Sequence, residues 1–140
     1  MASNQINLKI DARLENLSVI ADFISATMKQ LGVEQGIFEV QMAVDEACTN
    51  IIKYAYSGKE GIINIYCELQ DNYFSVTIMD TGRSFDPNTV LPPDIQTGLD
   101  KRQVGGLGIY LMRKLMDEVS YSFDTEKGNT LVMKKALNKK

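Results

Sequence analysis

A carboxylate stands where a strand should end, aimed at the side where apolar residues go. Tyr73 to Met79 alternates in a β-rich run and reads as a strand, with Phe74, Val76 and Ile78 on one face. Asp80 is next in that register, so it shares their face and can accept hydrogen bonds from a buried ligand. A long segment with glycine and proline, Arg83 to Val104, leads to Gly105-Gly106-Leu107-Gly108 and a fresh helix start. Backbone amides there lack intrahelical partners, the helix dipole favours an anion, and missing Cβ atoms allow phosphate oxygens to approach. A polar hook, a long loop and a glycine-led helix start together describe a nucleotide pocket. Singly, each has a plainer account. Asp80-Thr81-Gly82 can be a carboxylate bonding the amides of its own turn, and Gly-Gly-x-Gly can be a flexible helix entry.

The elements that must position these groups follow from periodicity. Ile6, Leu8 and Ile10 alternate with polar residues as a first strand, at an edge. Leu14, Leu17, Ala21, Ile24, Met28 and Leu31 recur in steps of three and four as one side of a helix closed by Gly32. That stripe reads as core, with an oligomer or partner surface as the alternative. A second helix, about Glu34 to Tyr56, carries Val40, Val44, Ala47, Cys48 and Ile51 on its buried side. Glu46 and Asn50 lie one turn apart on roughly the opposite side, a solvated face by the spacing rule, or a functional one if a ligand sits against it. Ile63 to Leu69 and Tyr73 to Met79 form a hairpin over Asp71-Asn72. Leu107 to Val119 reads as an amphipathic helix, followed by strands Ser120–Thr125 and Thr130–Leu137. The order strand, helix, helix, two strands, lid, helix, two strands predicts one α+β domain over residues 1–140. It is a two-layer sandwich, with helices on one face of a mainly antiparallel sheet and a lid at about 83–106.

Composition narrows the functions. The chain contains no histidine, which excludes a histidine base, a histidine metal ligand and a phosphohistidine. Net charge is −3, so the basic footprint of a nucleic-acid binder is missing, and no apolar run is long enough to cross a membrane. Cys48 and Cys67 have neither metal nor redox spacing and read as buried, inert thiols suited to a reducing cytoplasm.

Three stretches occur in order, each on the element it requires: Ala43-Val44-Asp45-Glu46-Ala47-Cys48-Thr49-Asn50, Asp80-Thr81-Gly82-Arg83-Ser84-Phe85-Asp86-Pro87 and Gly105-Gly106-Leu107-Gly108-Ile109-Tyr110-Leu111-Met112. With them the chain resembles the GHKL ATPases (gyrase, histidine kinases and their relatives). More closely, it resembles the anti-sigma factor serine kinases of bacterial partner-switching systems. Leu115-Met116-Asp117-Glu118-Val119 and Gly128-Asn129-Thr130 extend the match to nearly full length.

The resemblance implies the Bergerat-type sandwich with an ATP lid. Asn50 would ligate Mg²⁺, an oxygen-preferring ion that keeps several waters. Asp80 would accept from the adenine amino group, with Gly82 allowing close approach and Thr130 helping on the same edge. Gly105, Gly106, Leu107 and Gly108 would hold the phosphates, and Glu46 would be the base or positioning group for an attacking serine hydroxyl. Two positions depart from the family pattern: Ser84 replaces a second glycine, and Tyr54 stands where relatives often have histidine.

The implied activity is ATP-dependent phosphorylation, on serine or threonine, of an anti-sigma factor antagonist, with sequestration of a sigma factor by a homodimer. The alternative is a non-catalytic ATP/ADP-sensing module that switches partners, against which Glu46 argues. A catalytic fragment of a sensor histidine kinase ranks lower, because the chain has no phosphoacceptor histidine.

Overall fold

Alternating apolar residues in the sequence become a five-stranded sheet in a computed structural model that describes residues 5–83, 106–124 and 126–137, apart from the side chains of 106–110. The elements are β1 (Ile6–Asp11), α1 (Leu17–Gln30), α2 (Ile37–Asn50), β2 (Ile62–Gln70), β3 (Tyr73–Asp80), α3 (Gly106–Leu115), β4 (Glu118–Asp124) and β5 (Gly128–Ala136). Strand order is β1-β2-β3-β5-β4, and every described pairing is antiparallel. The expected edge position of β1 and the Asp71-Asn72 hairpin are both present, with Asp71 in the left-handed region at φ 49°.

One face of the sheet is apolar by register. Ile63, Ile65 and Cys67 of β2, Phe74, Val76 and Ile78 of β3, and Leu131 and Met133 of β5 are buried together beneath the helices. Burying side chains of this size contributes roughly 1.5–3 kcal/mol each. Helix α2 lies between α1 and α3. From α1, Ile20, Ile24 and Met28 reach the core, whereas Leu14 remains half exposed in a short 3₁₀ turn before the helix. The chain leaves α1 through a Schellman cap: Gly32 donates to the Lys29 carbonyl at 3.0 Å and Val33 to the Met28 carbonyl at 2.8 Å.

Two helices differ from their periodicity. The second starts at Ile37 rather than near Glu34, since Gly36 before it has a left-handed φ of 77°. After Asn50 it widens into a π turn, Ile51–Ala55, closed by Tyr56 N–H on the Ile51 carbonyl at 2.9 Å. The third stops at Leu115, four residues short of Val119 in the expected span. There Asp117 joins the sheet: its N–H donates to the Lys134 carbonyl at 2.8 Å, and its carboxylate accepts the Ala136 N–H at 2.6 Å.

Lys135 fixes the direction of two helices. Its stem lies beneath Gly36 at the start of α2, and its Nζ donates to the Leu115 carbonyl at the end of α3, 2.9 Å away. Helix α2 therefore runs from the Lys135 end of the sheet to the Asp80 end, and α3 runs the opposite way. Asn50 and the start of α3 are thereby brought to the same end as Asp80. Of the expected lid, residues 84–105 lie outside the described residues.

Candidate active site

Asp80 ends β3 with its side chain under the helices, 7 % exposed. Its Oδ1 accepts the Gly82 N–H at 2.8 Å, the turn expected from Asp-x-Gly, and it also accepts Asn129 Nδ2 at 2.8 Å. Burial raises the Asp80 pKa above its ordinary value, and the Asn129 and Gly82 donors oppose that rise by stabilising the anion. So the turn reading and the inward carboxylate reading describe one arrangement.

Asn129 is 2 % exposed and bridges the end of β5 to the Asp80 turn. Its Nδ2 also donates to the Gly82 carbonyl at 3.1 Å, while its Oδ1 accepts the Tyr121 hydroxyl at 2.8 Å. Register explains the position: Asn129 pairs with Asp80, and Thr130 with Met79. Successive side chains of a strand face opposite sides, so Thr130 points to the sheet face away from Asp80. Thr130, expected to help on the Asp80 edge, is thus on the other face of β5, and Asn129 is the β5 residue beside Asp80. A signal was present in the sequence, because Asn129, Leu131 and Met133 are in one alternating phase.

The turn after Asp80 is clamped to the π turn. Arg83 N–H donates to the Ala55 carbonyl at 2.7 Å, and a Cβ on Gly82 would lie 2.6 Å from the Ala55 carbonyl carbon and oxygen. Tyr56 holds the same turn through its hydroxyl, which accepts Thr81 N–H at 2.9 Å and donates to the Ile62 carbonyl at 2.7 Å. Gly128 closes the other side, with a φ of 95° and no room for a Cβ against the Asp80 carbonyl. Tyr56 and Tyr121 were not singled out as site residues, since a tyrosine whose hydroxyl acts on a distant turn has no sequence spacing to betray it.

Asn50 is the last residue of α2 and is 6 % exposed, so it does not belong to a solvated face. Helix α3 packs beside α2 and brings Met112 and Met116 into the core, a tertiary contact that helical spacing does not encode. Among the described residues, Asn50 Nδ2 has no hydrogen-bond partner. A buried amide without a partner is costly, and a polar ligand at this position would relieve it. Glu46, one turn earlier, is half-buried. Between them on the core side lies Cys48, whose thiol is pushed up by burial and further by Asp45 and Asp80, an electrostatic link between α2 and the β3 carboxylate.

Gly106, Leu107 and Gly108 form the first turn of α3, where amides are free of intrahelical acceptors. Gly105 lies outside the described residues. No group of three or more acidic, cysteine or histidine side chains forms a metal cluster among the described residues. No described helix is long and apolar enough to cross a membrane.

Residues 10–135 match the histidine kinase-like ATPase domain family. Proteins named serine-protein kinase RsbW from Staphylococcus aureus strains RF122 / ET3-1 and MRSA252 are each 36 % identical over 141 aligned positions, covering 96 % of this chain and 87 % of the relative. Among solved structures, the RsbU and RsbW domains of Rv1364c from Mycobacterium tuberculosis superpose with a TM-score of 0.67 at 16 % identity, covering 97 % of this chain and 33 % of that longer one. That likeness shows the shared fold. With the ATPase-family match over most of its length and the kinase likeness across nearly all of it, the chain belongs to the histidine kinase-like ATPase family, in its RsbW-type serine-protein kinase branch.

Proposed function

We propose that this protein is a cytoplasmic, ATP-dependent serine/threonine kinase that phosphorylates an anti-sigma factor antagonist and sequesters a sigma factor as a homodimer. The observation that carries the reading is the buried Asp80 carboxylate, held by Asn129 and Gly82 on the same end of the sheet as Asn50 and the start of α3. Likeness to the named serine-protein kinases supports the activity and the class of partners.

Asp80 accepts the adenine amino group, and Gly82 keeps the wall low enough for the base to approach. The amides of Gly106, Leu107 and Gly108, continuing the chain from Gly105, orient the phosphates, and the α3 dipole favours their charge. Asn50 would hold Mg²⁺ through its side-chain oxygen, and its Nδ2, without a partner among the described residues, would be available to the bound ligand. Mg²⁺ supplies neutralisation of charge on the transferring group. Glu46 orients the substrate hydroxyl and takes its proton as the new oxygen–phosphorus bond forms and the bond from the γ-phosphorus to the bridging oxygen breaks, with ADP as the leaving group. Because phosphoryl transfer depends mainly on alignment and charge, holding the hydroxyl in line is the larger part of that role.

Calorimetry with Mg-ATP on wild type, Asp80→Asn and Glu46→Ala tests the pocket, followed by phosphate transfer to the antagonist. Binding should vanish in Asp80→Asn and persist in Glu46→Ala, with transfer lost in the latter. A wild type that binds no ATP would sink the reading. Binding without transfer would leave the ATP/ADP-sensing module in its place.

A further inference from the structure

Resting on that nucleotide-binding reading, we propose that Tyr56 is a positioning residue that sets the span of the site. Its hydroxyl fixes the turn after β3 relative to the end of α2, so that a nucleotide held by its base meets the Mg²⁺ position at Asn50.

Two separate sets of bonds hold that turn. The first lies within the sheet: Asp80 Oδ1 takes the Gly82 N–H and Asn129 Nδ2, each at 2.8 Å, and Asn129 also donates to the Gly82 carbonyl at 3.1 Å. These bonds shape the turn but do not tie it to α2. The second set crosses between the layers. Arg83 N–H donates to the Ala55 carbonyl at 2.7 Å, and the Tyr56 hydroxyl accepts Thr81 N–H at 2.9 Å while donating to the Ile62 carbonyl at 2.7 Å. Both directions at the hydroxyl are fixed by its partners, because a backbone amide only donates and a carbonyl only accepts. Thr81 Oγ1 lies 3.3 Å from the same hydroxyl. The Tyr56 ring is buried, and a Cβ on Gly61 would overlap it. One side chain thus joins the helix layer to both the start of β2 and the turn after β3.

On its other side Tyr56 belongs to the same coil as Asn50. The π turn Ile51–Ala55 follows Asn50 directly, and Tyr56 N–H closes it on the Ile51 carbonyl at 2.9 Å. Asn50, whose Nδ2 has no partner among the described residues, stands at the opening of that coil and Tyr56 at its close. A ligand touching both Asp80 and Asn50 must match a distance that this coil and this hydroxyl set. Binding at one end presents the rest of the ligand correctly to the other only while that distance holds. Without the hydroxyl, Asn129 and Gly82 still shape the Asp80 turn, but the two ends are free to shift against each other.

The test titrates the full chain with ADP, with and without Mg²⁺, in wild type, Tyr56→Phe and Asn129→Ala. The ratio of the two affinities reports how well a base-held nucleotide meets the Asn50 end. Wild type should bind about tenfold more tightly with Mg²⁺. Tyr56→Phe keeps the ring and should lower that ratio by about fivefold, the scale of one hydrogen bond, while its affinity without Mg²⁺ stays within about twofold of wild type. Asn129→Ala should weaken ADP equally in both conditions and leave the ratio unchanged. Thermal unfolding confirms that each variant is folded at the assay temperature. If Tyr56→Phe keeps the wild-type ratio, whether or not affinity falls, Tyr56 is merely structural and the inference is overturned. If wild type binds ADP without any response to Mg²⁺, the span inference fails while the nucleotide pocket stands. If it binds no ADP in either condition, the pocket fails as well.

Discussion

At the Asp80 end the buried side chains hydrogen-bond one another, from Tyr121 to Asn129 and from Asn129 to Asp80, while at the end of α2 the buried Asn50 carries an amide nitrogen without a described partner. The first region is completed by folding. The second contains a buried polar group that no described residue satisfies. Substitutions should divide accordingly, with losses of stability at the base wall and losses of activity at the Glu46–Asn50 face.

The largest effect belongs to Glu46. Replacement by alanine should lower phosphate transfer by about 10²–10⁴-fold, the range for removing a positioned acid–base group. The unfolding free energy should change by no more than about 1 kcal/mol, the scale of one hydrogen bond or partly exposed ion pair. Single-turnover transfer and urea unfolding measure the two sides. A loss of stability as large as the loss of rate would break the division.

Gly82→Ala should act in the reverse sense. Its new Cβ would lie 2.6 Å from the Ala55 carbonyl atoms and 2.9 Å from the Ala55 Cβ, so either the strand end or the π turn must move. A cost of about 1–3 kcal/mol is expected from overpacking. ATP binding should fall with it, because the displaced turn carries Asp80. Urea midpoints read this directly.

A paired measurement sharpens the contrast further. Asn129→Ala removes a donor from the Gly82 carbonyl and from Asp80 Oδ1 and an acceptor from the Tyr121 hydroxyl, and should cost about 1–3 kcal/mol. Asn50→Ala removes an amide that has an unpartnered donor and should leave stability within about 0.5 kcal/mol of wild type, while abolishing Mg-ATP binding. Equal destabilisation by the two variants would show that Asn50 also has a structural partner.

The same contrast explains what was legible in the sequence. Asp80 was readable because strand alternation and the Asp-x-Gly turn are local, and both survive in the fold. The sandwich, its strand pairing through the hairpins and the core phase of β1, β2 and β3 were readable for that reason too. Helical spacing put Asn50 opposite the apolar stripe, and its burial depends on tertiary packing that spacing within one helix does not encode. Thr130 was named on the family resemblance alone, whereas in β5, which begins at Gly128, the residue opposite Asp80 is Asn129. Its alternation with Leu131 and Met133 would have given the correct face. The π turn after Asn50 has no periodicity that distinguishes it from a continuing helix.

The smallest expected effect is a pH dependence at Asp80. Burial raises its folded pKa above the ordinary 3.8, with the Asn129 and Gly82 donors acting in the opposite direction. The folded protein thus holds this proton more tightly than the unfolded chain does. Asp80 contributes its linkage stability fully below the unfolded value, and loses it as pH rises through the raised folded value. Unfolding free energy of wild type relative to Asp80→Asn should accordingly improve as pH is lowered through that window. ATP affinity should move the other way, weakening by up to about tenfold per pH unit there, because the adenine amino group needs the ionised carboxylate. Parallel urea and calorimetric titrations check both signs. If stability and affinity fell together on acidification, the folded pKa of Asp80 would lie below its unfolded value. The Asn129 and Gly82 donors would then outweigh burial, making the base wall more strongly preorganised for an anion.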